Sequence, residues 1–127
     1  MSTKSSELEK YIDFYDSINI ENTFPFNVTK EKDGKFLLWS IGEGNKKYKV
    51  MIFDKRGKKI KTVQFGDKRY TQYKDKTPLK LYSHLDHKDK KRRDRYRTRH
   101  EVIKTKEGKR AYKIKYSPAW FSYSFLW

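Results

Sequence analysis

The core of this chain has to be built from rings. Of 127 residues, 21 are aromatic (three Trp, ten Tyr, eight Phe), while 38% are charged and 35% hydrophobic. An ordinary globular domain has a charged share of roughly 25%, so little aliphatic surface is on hand to bury. Disordered segments are poor in aromatics. This many rings therefore point to a thin, aromatic core beneath a charged coat, completed by contact with neighbours. The length suits one domain, enough for a modest core and too short for a deep cleft between lobes.

The charge is segregated along the chain. Residues 1–45 hold five Lys and eight Asp/Glu, a balance of −3, whereas residues 46–127 hold 27 Lys/Arg and eight Asp/Glu, a balance of +19. The division expected from this is an acidic N-terminal arm, 1–45, and a basic, aromatic-rich domain, 46–127, although no glycine/serine linker separates them. A compact body of one charge repels itself until counter-ions, nucleic acid or an acidic protein surface neutralises it. There is no cysteine, which removes disulfides and thiolate metal sites and makes an intracellular folding environment the simplest inference. The first twenty residues, with Glu7, Glu9, Asp13 and Asp16, lack the basic start and apolar run of a signal peptide. No stretch approaches the ~18 apolar residues of a membrane span.

The pattern predicts an α+β fold. Ser6 and Glu9 stand at capping-box spacing, and Leu8, Tyr11, Ile12, Tyr15 and Ile18 fall on one stripe of an amphipathic helix. That stripe either packs on its own domain or serves as a docking arm. Three strand-like runs follow: Phe36 to Ile41, Tyr48 to Phe53 and Ile60 to Phe65. The last two form a hairpin, about 48–65, because Gly57 can supply the positive φ of a short turn with a bulge. Lysines on both hairpin strands are expected to point off the solvent face and to discourage edge pairing. From Gly66 the chain is irregular, and Pro78 argues against a long helix. A short basic helix, about 89–99, follows with Asp89 as its cap. A last β-like pair, Val102–Ile103 against Ala111–Tyr116, leads to an extended aromatic C-terminal tail.

Two stretches carry the candidate chemistry. Between Asp86 and His100 lie eight Lys/Arg, among them Arg92, Arg93, Arg95, Arg97 and Arg99. Five arginines favour planar, bidentate contacts with phosphates or carboxylates. Tyr96 is the only large apolar residue of the segment, so the helix belongs on the surface, with Arg92, Tyr96 and Arg99 on one face. The second stretch is the tail, where Tyr112, Tyr116, Trp120, Phe121, Tyr123, Phe125 and Trp127 crowd together. A terminus of this kind is pinned in its own core, in a pocket on another protein, or by stacking on single-stranded bases. His84, His87 and His100 raise a metal site, which the lack of cysteine and of a fourth ligand argues against. No nucleophile arrangement, phosphate loop or free carboxylate pair is present, so no catalytic residues, metal or cofactor are expected.

Three pieces resemble a known pattern: VQFGDKRY at 63–70, HLDHKDKKRRDRYRTRH at 84–100, and Trp120 with Leu126–Trp127. The order of Phe-Gly-Asp, a Lys/Arg-rich segment ending in Arg-x-Arg-His, and an aromatic finish with Trp is similar to a family of small basic proteins of large eukaryotic DNA viruses, with distant relatives in tailed phages. It covers roughly residues 48–127. The phage versions carry cysteines that this chain lacks, Glu101 following His100 here, so no shared metal or redox role is implied. The resemblance implies a viral origin and a virion component, in a family with no assigned enzymatic activity. The expected role is a minor capsid protein on the inner face of the shell, made in the host cytoplasm. Its expected partners are the major capsid protein and other minor capsid proteins, with viral DNA or an inner membrane surface as further ones and no small-molecule substrate. The alternative is a sequence-indifferent, genome-packaging nucleic-acid protein. Phe65, Gly66 and Asp67 are the candidate structural motif. Arg92, Arg93, Arg95, Tyr96, Arg97, Arg99, His100, Trp120, Phe125 and Trp127 are the candidate partner contacts.

Overall fold

In the computed structural model residues 25–127 are described, and the amphipathic helix expected from Ser6 lies outside them. Four strands, β1 (Phe26–Lys30), β2 (Phe36–Ile41), β3 (Lys46–Phe53) and β4 (Lys59–Asp67), form an antiparallel meander in the order β1-β2-β3-β4. Two helices follow, α1 (Lys90–Glu101) and α2 (Pro118–Phe125), with short 3-10 turns at Ser83–Leu85 and Ala111–Lys113. The fold is thus α+β. The sheet runs across the boundary expected at residue 45: Leu37 pairs with Ile52, Trp39 with Val50 and Ile41 with Tyr48. Charge suggested that boundary, and backbone pairing takes no account of charge.

The expected hairpin is β3–β4. Asp54 Oδ1 accepts the Arg56 and Lys58 backbone N–H groups, each at 2.9 Å, and Gly57 takes φ +85°. Phe53 pairs with Lys59 and Ile52 with Lys61, so Ile60 is the extra, bulged residue. One face of the sheet carries Leu37, Trp39, Val50, Ile52, Val63 and Phe65, all but inaccessible to solvent. Side chains alternate across a strand, so Leu38, Ser40 and Phe53 belong to the opposite face, and they too are buried. The edge strand β1 is tied to the core by the Trp39 indole N–H, which donates to Thr29 Oγ1 at 2.9 Å.

The C-terminal stretch is helical rather than extended. Ser117 Oγ accepts the Trp120 backbone N–H at 3.1 Å, and Pro118, with no N–H to leave unpaired, occupies the first turn. A hydroxyl cap followed by proline is a strong helix start. The helix lays its rings on the sheet: Phe121 stacks on Phe65 with centroids 5.2 Å apart, and Phe125 meets Trp39 edge-on at 4.9 Å. Such ring pairs contribute beyond their area, by about 0.5–1.5 kcal/mol each.

The expected pairing of Val102–Ile103 with Ala111–Tyr116 shrinks to a single bridge, Lys104 with Arg110. Val102 and Ile103 are exposed, so no apolar face extends the pair, and Ala111 turns away into a 3-10 turn whose carbonyl accepts the Ser117 hydroxyl at 3.0 Å.

Candidate functional site

Residues 68–88 cover the end of the sheet with almost no regular structure, and a buried polar network holds them there. Asp75, 2% exposed, is its centre. One carboxylate oxygen accepts the Thr77 backbone N–H at 3.0 Å and hydroxyl at 2.6 Å. The other accepts the Tyr82 N–H at 3.1 Å and the hydroxyl of Tyr48 on β3. Asp86 Oδ1 accepts from the Gln72 amide at 2.6 Å and from the Asp75 N–H at 2.8 Å. Lys47 on β3 is only 2% exposed. Its ammonium donates to the Tyr70 carbonyl at 2.9 Å and to the Gln72 side chain. Burial pulls the Lys47 pKa below its ordinary value, and Asp75, Asp67 and Asp86 oppose that shift. Buried polar groups are costly unless paired, and in this network each supplies the other's partner.

The basic helix α1 begins at Asp89, whose carboxylate accepts the Lys91 and Arg92 backbone N–H groups at 3.0 and 3.3 Å. No residue of α1 is fully buried. It is held by rings and guanidinium planes. Tyr96 stacks on His100 at 3.7 Å and on Trp127 at 4.2 Å, both near parallel; two rings so close cannot share one face, so Tyr96 lies between them. Burial raises its hydroxyl pKa to about 12. Arg97 donates to the Trp127 carbonyl at 2.9 Å and lies 5.1 Å over the Tyr123 ring. Arg93 lies 4.7 Å over Tyr73, and the Tyr123 hydroxyl donates to Glu101 at 2.5 Å. Cation–π contacts of this kind contribute about 0.5–2 kcal/mol each.

The expected contact residues thus divide into four groups. Arg93, Arg97, Tyr96 and His100 face the body of the domain. Trp120, Phe125 and Trp127 are half-buried against the chain's own core. Arg95 is exposed on the outer face with Lys90, Lys91 and Asp94. Arg92 and Arg99 look onto a cavity of about 430 Å³ between α1, the end of the β3–β4 hairpin and the C-terminal residues.

That cavity unites the three separated pieces of the sequence pattern. Gly66 and Asp67 form one wall, Tyr96 and His100 a second, and Leu126 and Trp127 a third. Phe65, just before this wall, is buried in the ring cluster. Gly66 has φ +76°, and a Cβ there would stand 3.0 Å from both Leu126 Cδ1 and Lys47 Cβ, so the bare backbone is what lets Leu126 settle on the sheet. Asp67 is engaged by Arg69 through two side-chain bonds, at 3.0 and 2.8 Å, which hold its carboxyl down to about 2. Lys46, Lys47, Tyr70, Thr71 and Ser122 complete the lining. The sequence reading missed them. Lys46 and Thr71 sit in segments whose pattern says only strand and irregular chain, and contact with α1 is set by the fold.

Cations exceed carboxylates here as they do over the whole described surface. Residues 25–127 carry 30 Lys/Arg against 11 Asp/Glu. Among the described residues there are four ion pairs, Lys35–Asp33, Lys49–Glu43, Arg69–Asp67 and Arg93–Asp94, each between residues close in sequence. His84, His87 and His100 are spread over separate ring contacts with Tyr82, Trp127 and Tyr96. Among the described residues no three His, Asp or Glu side chains are grouped to hold a metal ion, and no helix is long and apolar enough to cross a membrane. No family model matches this chain, and comparison with curated proteins and with solved structures finds none similar to it.

Proposed function

We propose that this chain is a non-enzymatic structural protein of a large DNA virus particle, a minor capsid component that binds acidic surfaces of its neighbours through α1. The observation that carries the binding part is the outer face of that helix. Lys90, Lys91 and Arg95 project from a helix held by rings on its other side, and no ion pair of the described residues involves them. The backbone that carries these cations is already ordered, so an anionic partner meets only the cost of fixing the side chains, and their charge steers it to the helix. The viral part rests on the resemblance of residues 63–70, 84–100 and Trp120 with Leu126–Trp127, and the meeting of residues from all three stretches around one cavity, Trp120 apart, supports treating them as one unit.

Gentle disruption of particles tests this reading: the protein is expected to leave with shell fragments and to cross-link to capsid proteins through α1. Its absence from purified particles overturns the reading.

A second reading, sequence-indifferent nucleic-acid binding, is favoured by Tyr70, 65% exposed beside the cavity with the Arg69 guanidinium 5.7 Å over its ring. Open rings among cations suit stacking on bases. This reading requires affinity that falls steeply with salt and release of the protein with the genome.

A further inference from the structure

We propose that the cavity bounded by α1, the β3–β4 end and Trp127 is a binding site for a phosphate ester. Where the protein resides does not enter the argument, so this goes beyond the virion reading and stands or falls separately from it.

Three exposed cationic side chains, Lys46, Arg92 and Arg99, line one void of about 430 Å³, and Lys47, whose ammonium is bonded to the Tyr70 carbonyl and the Gln72 side chain, lies in its wall. The one Asp or Glu side chain in the wall, Asp67, already receives the Arg69 side chain and backbone. Arg92 donates to the Thr71 hydroxyl at 3.1 Å, which fixes its guanidinium at the rim while leaving other N–H groups free. Arg99 has neither an ion-pair nor a hydrogen-bonding side-chain partner among the described residues. Like charges converging on a concave surface repel one another, and a multiply charged anion relieves several repulsions at once.

The chemistry selects phosphate over a carboxylate. A carboxylate carries one charge on two oxygens in a plane. A phosphate monoester carries up to two, with three oxygens placed to accept from guanidinium forks and from the hydroxyls of Thr71 and Ser122 together, and neighbouring diesters of a nucleic-acid strand supply two charges between them. The void also exceeds what a bare phosphate needs and lies in the usual range of ligand pockets, about 300–1,000 Å³. Tyr70 stands at its edge for whatever the phosphate is attached to.

Isothermal titration of the full chain at about 0.15 M ionic strength provides the test, with pyrophosphate, adenosine monophosphate and a short thymidine oligonucleotide as probes. Saturable binding of pyrophosphate is expected, weakened about tenfold to a hundredfold by Arg99→Ala or Arg92→Ala and unchanged by Lys106→Ala, an exposed cation outside the cavity. Arg92 and Arg99 are exposed and contribute nothing to the core, so both variants keep the fold, as circular dichroism would verify. Oligonucleotide binding much tighter than the mononucleotide's, and displaced by pyrophosphate, identifies the source as a nucleic-acid backbone. Equal or better binding of the mononucleotide identifies a free phosphorylated molecule. Absence of saturable binding at millimolar pyrophosphate overturns the proposal, and so does a loss with Lys106→Ala equal to that with Arg99→Ala.

Discussion

Adding one methyl group at Gly66 should cost more than adding the same group at Gly108, and the difference measures how the C-terminal residues are seated. Both glycines have positive φ, +76° and +80°, so alanine at either incurs left-handed backbone strain of about 1–2 kcal/mol. At Gly108 nothing lies within 4 Å of the added Cβ. At Gly66 it meets Leu126 Cδ1 and Lys47 Cβ at 3.0 Å. Neither neighbour can yield freely: Leu126 is 1% exposed, and Lys47 Cβ is fixed to β3. Overpacking of this kind costs about 1–3 kcal/mol more, so Gly66→Ala is expected to lose about 2–5 kcal/mol in total. A domain of this size commonly has about 5–15 kcal/mol of stability. Urea unfolding of both variants, followed by circular dichroism, gives the comparison directly. Losses that agree to within about 0.5 kcal/mol would refute the claim that Leu126 is packed on a bare backbone.

The remaining expectations concern the buried network, the tyrosines and the charge. Asp75→Ala strands two N–H groups and two hydroxyls of Thr77, Tyr82 and Tyr48, and is expected to cost about 3–5 kcal/mol in urea unfolding. Tyr48→Phe keeps the ring and removes one hydroxyl, for about 1–3 kcal/mol; a larger effect from Tyr48→Phe than from Asp75→Ala would contradict the network. Burial raises Tyr96, Tyr116 and Tyr123 each to about 12. A pKa raised on folding gives stability that is whole below the unfolded value near 10 and is lost as pH climbs through about 12. Tyrosinate absorbance should therefore rise in a delayed step that coincides with unfolding, whereas a single step near pH 10 in a folded protein would count against the burial. Raising salt from about 0.01 to 0.15 M shortens the screening length from about 30 to 8 Å, so the melting temperature should climb. A melting temperature indifferent to salt would mean that the cationic surface does not oppose folding.

The sequence shows some of this plainly and hides the rest for identifiable reasons. Strands β2, β3 and β4 announce themselves as apolar runs punctuated by glycine, and α1 announces its start at Asp89. Strand β1 does not, because Phe-Asn-Val-Thr-Lys directly follows a proline and derives its order from pairing with β2. The α2 start, Ser117-Pro118, is a local signal that the crowd of rings after it obscured. The helical spacing of Arg92, Tyr96 and Arg99 correctly puts them on one side of α1. Nothing local says that Lys46 and Lys47 await them across a gap, or that a lysine in a basic hairpin is buried. Those facts depend on where residues 68–88 run, and Gln72, Asp75 and Asp86 direct that course through bonds to partners distant in the chain.

Two opposed forces meet at α1, and their balance links folding to binding. The helix has no buried residue of its own, so its attachment comes from Tyr96 on Trp127, Arg97 on Tyr123 and the Trp127 carbonyl, and Arg93 on Tyr73. Those same contacts bring Arg92 and Arg99 to the cavity wall opposite Lys46 and Lys47. Ring stacking draws the helix inward while the converging cations push it away. An anion between them turns the repulsive part into attraction without moving the rings. It stabilises the folded chain by RT ln(1 + [L]/Kd), about 2.7 kcal/mol at a hundredfold excess over Kd. Gly66 sets the position of Leu126, and Leu126 that of Trp127, so a change at the end of β4 that does not touch the cations should still weaken anion binding. The cavity is therefore a product of the fold's closure as much as of its charge.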